Sequence, residues 1–97
     1  MPTHSGLPRL TLYHTSGCHL CEAAEGLVMA VLAAQDLPLD CLRRVDIAND
    51  DELLKRYGVV IPVLRQEDSA QELNWPFGPD DIQRLVPGRL ELNGSGQ

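Results

Sequence analysis

Cys18 and Cys21 are the residues whose type and spacing most directly suggest chemistry in this chain. Exchange of disulfides by a dithiol needs one accessible, low-pKa thiolate to attack and a second thiol near enough to resolve the mixed disulfide. Residues three apart in a first helical turn lie roughly 5–6 Å apart, within the span a disulfide can bridge. A cysteine at a helix N-terminus also meets free N–H groups and the positive end of the dipole, both of which stabilise a thiolate. If the pair opens a helix, Cys18 is therefore the attacking thiol. Cys21, one turn inward and more shielded, is the resolver.

Metal binding is the rival chemistry for such a pair. A structural zinc site needs four N/S ligands, commonly two C-x-x-C pairs. This chain has three cysteines and no second pair, so Cys41 and either His14 or His19 would have to complete the set. No metal is expected within one chain, although a cluster bridged between two chains stays open. Glu22 rather than histidine follows Cys21, which excludes covalent haem attachment. His19 has two readings, a neighbour that lowers the pKa of Cys18 or a solvent-facing residue of the first turn. Cys41, flanked by apolar residues, reads as a small core filler rather than a redox centre.

The elements that must position the pair are legible around it. Leu10–Tyr13 alternates like a strand, and His14–Gly17 forms a turn in which Thr15 or Ser16 could cap a helix. From Cys18 to Ala34, apolar residues recur at Leu20, Ala24, Leu27, Val28, Val31 and Leu32, the spacing of a helix with one buried face. Gly26 interrupts it, and close packing against a sheet would be one reason. A second strand is expected over Leu39–Val45, with Cys41 on it. Asn49 or Asp50 caps a short helix, Asp51–Tyr57, that stops at Gly58. Pro62 lacks an N–H and so should stand at the start of a third strand, Val63–Gln66. Glu67–Ser69 turns into a fourth strand, Gln71–Asn74, and a last helix runs from Pro79 to about Val86. Trp75 and Phe77 read as packing residues ahead of a substrate platform.

The order β-α-β-α-β-β-α gives an α/β fold, a mixed four-stranded sheet flanked by helices, parallel in its crossover half and antiparallel in its hairpin half. Ninety-seven residues, 43% of them apolar, suit one core. Residues 1–8 read as a flexible lead, 9–90 as the domain and 91–97 as a flexible tail. A net charge of −6, with Lys55 the one lysine, disfavours nucleic acid and anionic membranes. No stretch nears the roughly 18 apolar residues of a membrane span, and Met1–Gly6 lacks the basic start and apolar region of a secretory signal. A cytoplasmic location is the expectation.

Leu10–Tyr13, Gly17–Cys21, Val45–Ile47, Leu53–Gly58 and Ile61–Leu64 together resemble a small bacterial glutaredoxin-like family of the thioredoxin superfamily, from about Leu10 to Val86. The resemblance implies a thioredoxin-like fold, dithiol–disulfide oxidoreductase activity at Cys18 and Cys21, and a cis bond between Ile61 and Pro62. It also implies a groove at Ser16, Gly17, Ile61 and Pro62, with the Ile61 backbone free to pair with an extended substrate. Glutathione-using glutaredoxins usually carry a basic residue shortly before the first cysteine and a Gly-Gly followed by an acidic residue after the fourth strand. Here those places hold His14–Gly17 and Asn74–Asp80, with only Asp80 or Asp81 placed to hold an amino group. Glutathione stays open as a co-substrate but is disfavoured, and no bound cofactor is expected. The expected partners of a monomeric chain are protein or small-molecule disulfides and a thiol reductant. The alternatives are a metal- or iron–sulfur-binding protein and a non-catalytic binding module of the same fold.

Overall fold

Alternation along Leu10–His14 (β1) sends Leu10 and Leu12 to one side of a sheet and Thr11 and Tyr13 to the other. Both sides are covered, since Leu10, Thr11 and Leu12 are all buried. In the computed structural model, which describes residues 8–86, β1 is a central strand. It pairs in parallel with Leu42–Asp46 (β2) and antiparallel with Val63–Gln66 (β3), and β3 pairs antiparallel with Gln71–Asn74 (β4). The strand order is β2-β1-β3-β4. Most of the expected lead and all of the expected tail lie outside the described residues; Pro8, counted with the lead, is buried.

The crossover from β1 to β2 is the helix His19–Ala34 (α1). Ala24, Val28, Val31 and Leu32 turn inward from it, joined by Ile82 and Leu85 of Pro79–Leu85 (α3). These residues meet Leu10, Leu12 and Leu64 in the main core. α1 ends in a paired turn: the Leu37 N–H donates to the Leu32 carbonyl at 2.8 Å and the Asp36 N–H to that of Ala33 at 3.1 Å. Asp36 takes φ +60° there, and Leu37 and Leu32 close the end with apolar burial. Gly26 is not packed against the sheet as expected. It is exposed, and a Cβ built on it would meet nothing within 4 Å.

The second strand starts later than its alternation suggested. Leu39–Cys41 forms a single 3-10 turn, closed by the Cys41 N–H on the Pro38 carbonyl at 3.0 Å, so Cys41 precedes β2 instead of lying on it. Asp50 caps Asp51–Tyr57 (α2) through its carboxylate, which accepts the Glu52 and Leu53 N–H groups at 2.9 and 3.1 Å. Gly58 follows in right-handed geometry, φ −52°. Close approach explains this glycine, because a Cβ would lie 2.5 Å from the Leu54 carbonyl oxygen.

α2 covers the opposite side of the sheet with a smaller cluster, Ile47, Tyr57 and Val63, against which Tyr13, Leu53 and Ile61 pack. Beyond that cluster the same side becomes polar. Thr11 donates to Glu67 at 2.6 Å, and Arg65 reaches Glu67 at 3.3 Å and Glu72 at 3.1 Å. Among the described residues no helix is long and apolar enough to cross a membrane.

Candidate active site

The loop from β1 to α1 brings the cysteines to the C-terminal end of the parallel strand pair. Gly17 takes φ +76° with open space around it, so the requirement for glycine here is conformational: a side chain in the left-handed region is strained by roughly 1–2 kcal/mol. That turn delivers Cys18 in extended geometry, φ −93° and ψ 105°, as the N-cap of α1. Neither Thr15 nor Ser16 caps the helix, because it begins three to four residues later. Cys18 does so itself, with Sγ accepting the Cys21 N–H at 3.1 Å. The first intrahelical bond runs from the Glu22 N–H to the Cys18 carbonyl at 3.1 Å.

Cys18 and Cys21 are joined as a disulfide, with their Cα atoms 5.2 Å apart. Their exposure differs: Cys18 is half-buried and Cys21 is buried. His19 and Leu20 between them face solvent. Glu22 lies in the first turn of the helix, whereas Glu25 is further along and ion-paired with Arg44 of β2. Cys41 sits in the main core, where burial, and secondarily Asp40, push its thiol pKa up. Among the described residues no group of three or more His, Cys, Asp or Glu is arranged to hold a metal ion.

The segment entering β3 runs next to this loop in the sheet. β1 and β3 pair as far as Tyr13 and Val63; continuing that register sets Pro62 opposite His14 and Ile61 opposite Thr15, beside the cysteine loop. Pro62 is fully buried and Ile61 half-buried. The Ile61–Pro62 bond is cis, as is Trp75–Pro76. Ile61 is not wholly free. Its N–H donates to the Tyr57 carbonyl at 3.1 Å, beside the Val60 N–H on the same oxygen at 2.9 Å. The last carbonyl of α2 has no partner within its own helix, and these two donors supply one.

Tyr57 is the residue that sequence reasoning passed over. Its ring stacks on Tyr13 at 4.3 Å between centroids and its hydroxyl donates to Glu72 at 2.6 Å. Burial, and then the Glu72 carboxylate, push its pKa up to about 12. Tyr57 thus ties the turn before Pro62 to both β1 and β4. Val59 and Val60, ahead of β3, form an exposed turn, with Val59 97% exposed. Trp75 and Phe77 pack edge to face at 5.1 Å against the main core. Asp81 is engaged as a cap: it accepts the Gly78 N–H at 2.9 Å and pairs with Arg84 at 2.8 Å, and the Gly78 bond chiefly lowers its pKa.

A four-stranded mixed sheet with α1 and α3 on one side, α2 on the other and a bridged C-x-x-C at the start of α1 defines a protein of thioredoxin-like fold. Residues 9–86 match the model of the glutaredoxin-like domain family (DUF836), and the chain belongs to that family. Among solved structures it is similar to the X-ray structure of protein XcR50 from X. campestris, with 33% identity, 77% of this chain and 91% of that one covered, and a TM-score of 0.59. It also resembles in fold protein Ne2328 from Nitrosomonas europaea, at 23% identity, 89% and 99% coverage and a TM-score of 0.69. Thioredoxin 1 from Thermosipho africanus shares the fold at 12% identity, 92% and 99% coverage and a TM-score of 0.60. Comparison with curated proteins gives no match.

Proposed function

We propose that the chain is a dithiol–disulfide oxidoreductase in which Cys18 attacks and Cys21 resolves. The observation that supports this reading most directly is the capping contact, in which the Cys21 N–H donates to Cys18 Sγ at the start of a sixteen-residue helix. In the reduced protein that donor and the helix dipole favour the thiolate over the thiol. Greater exposure of Cys18 makes it the first sulfur a substrate meets, with the wall built by Ser16, Gly17, Ile61 and Pro62 around it.

The Cys18 thiolate attacks one sulfur of a substrate disulfide. The substrate S–S bond breaks, the departing sulfur takes up a proton, and a mixed disulfide to Cys18 forms. Cys21 then loses its proton and attacks Cys18 Sγ, closing the Cys18–Cys21 bond and releasing the second substrate sulfur as a thiol. Two electrons pass to the substrate, and a thiol reductant returns the dithiol form. Run in reverse, the Cys18–Cys21 disulfide oxidises a dithiol. His19, exposed beside Cys18, is the group assigned to exchange its proton with solvent. A reducing cytoplasm suits this cycle, because it keeps the pair supplied with thiols.

The test is reduction of a protein disulfide with dithiothreitol as the electron source. The wild type should accelerate it and Cys18→Ser should return it to the uncatalysed rate. Cys21→Ser should accumulate a one-to-one mixed disulfide detectable by mass. Undiminished turnover by Cys18→Ser would refute the assignment.

A further inference from the structure

Resolution of a mixed disulfide requires Cys21 to give up its proton, and Cys21 is buried. A thiol shielded from water holds its proton more tightly than one in solvent, so the step needs an acceptor inside the fold. Cys21 shares its face of α1 with Ala24, Val28, Val31 and Leu32, the face that packs on the sheet. His19 and Glu22, the titratable groups beside it in the first turn, are exposed. What lies beneath Cys21 is set by alternation along β1. Leu10 and Leu12 belong to the core under α1, whereas Thr11 bonds to Glu67 and Tyr13 stacks on Tyr57 on the α2 side. His14, the last residue of β1, therefore faces α1. Asp46 stands beside it on β2, and continuing the β1–β3 pairing sets Pro62 on its other side. The Asp46 carboxylate is engaged, accepting the Ala48 N–H at 2.9 Å. His14 is half-buried, and among the described residues neither of its ring nitrogens has a hydrogen-bond or ion-pair partner.

We infer that His14 is the proton acceptor for Cys21 in the resolving step, directly or through one water. The inference rests on the exchange reading at Cys18. In the mixed disulfide, the neutral imidazole takes the Cys21 proton and leaves a thiolate beside an imidazolium, an arrangement that activates cysteine nucleophiles. The Cys21 sulfur then attacks Cys18 Sγ. The Cys18–Cys21 bond forms, the bond from Cys18 to the substrate sulfur breaks, and the electron pair leaves with that sulfur. The imidazolium gives its proton to the departing thiolate, or to water, and is neutral again for the next turnover. The two histidines near the pair thus serve different sulfurs. His19, exposed beside Cys18, exchanges that thiol's proton with solvent, and His14 serves the thiol that solvent does not reach.

The experiment separates the two sulfur transfers. Reduced protein is mixed in stopped flow with one equivalent of 2,2′-dithiodipyridine, and released pyridine-2-thione is read by absorbance. Attack by Cys18 gives the first thione in a phase whose rate scales with concentration. Attack of Cys21 on Cys18 gives the second in a phase that does not. A variant carrying both Cys18→Ser and Cys21→Ser supplies the background from buried Cys41. His14→Gln and His14→Ala should each slow the second phase about a hundredfold, the lower end of what one proton-transfer group contributes, with the first phase within about twofold of the wild type. Added imidazole should restore the second phase of His14→Ala in proportion to its concentration and leave the wild type unchanged. A second phase unaltered by either substitution, both phases slowed alike, or slowing that imidazole does not relieve would overturn the assignment. First-phase release by the wild type no faster than by Cys18→Ser would instead refute the exchange chemistry beneath it.

Discussion

Cys18 does two things in this structure, and substitution can separate them. As the N-cap of α1 its sulfur accepts the Cys21 N–H at 3.1 Å, satisfying one of the donors that a helix start leaves unpaired. As a thiol it bonds to Cys21. Serine keeps an acceptor at the cap and removes the thiol, whereas alanine removes both. Serine is among the best N-caps, and its loss to alanine costs about 1 kcal/mol in a typical helix. Loss of the half-buried sulfur is common to both variants, so their difference isolates the cap. The disulfide itself closes a four-residue loop, worth about 2 kcal/mol on chain-entropy grounds, and measurement in excess dithiothreitol removes that contribution. Under those conditions Cys18→Ala should fall about 1 kcal/mol below Cys18→Ser in urea unfolding, or about 5 °C in Tm for a chain of this size. Both variants should be redox-inactive. Equal destabilisation by serine and alanine would show that the sulfur does not cap α1, and the argument for a thiolate favoured by that N–H would fall with it.

Two further outcomes follow from groups away from the disulfide. Gly26→Ala should stabilise the protein by about 1 kcal/mol in urea unfolding with unchanged turnover, because it is an interior helical glycine with open space where the methyl would go. Tyr57 should ionise only near pH 12 in an ultraviolet titration. Since its folded pKa is raised, the stability it contributes is complete below the ordinary tyrosine value near 10 and is lost as pH rises through about 12; Tyr57→Phe should remove that alkaline step.

The framework was legible because its signals are periodic. Alternation in Leu10–Tyr13, the helical recurrence from Leu20 to Leu32, and Pro79 at a first helical position are local patterns, and the elements formed where those patterns lie. The C-x-x-C was legible for the same reason, since its geometry depends on four consecutive residues. What could not be read were features decided by distant partners. Leu39 and Cys41 alternate like a strand, but the turn at Pro38 folds them into a 3-10 turn and gives the Cys41 side chain to the core. Val59 and Val60 are apolar in type, yet the closure of α2 on Tyr57 leaves them outside. Gly26 suggested packing and has none, because a missing side chain leaves no sign of its purpose. Tyr57 gave no warning at all: its partners Tyr13 and Glu72 lie far from it in the chain, on different strands.

The unequal division of the core between the two sides of the sheet bears on how the site would respond to a partner. The cysteines start a helix anchored in the large cluster, through Ala24, Val28 and Leu32, while Ile61 leans on the small one formed by Ile47, Tyr57 and Val63. Regions with fewer buried apolar contacts open at lower free energy than the rest of a fold. One jaw of this clamp is accordingly stiff and the other compliant. Under the exchange reading proposed above, the sulfur chemistry would keep a fixed geometry and accommodation of differently shaped substrates would fall to the α2 side.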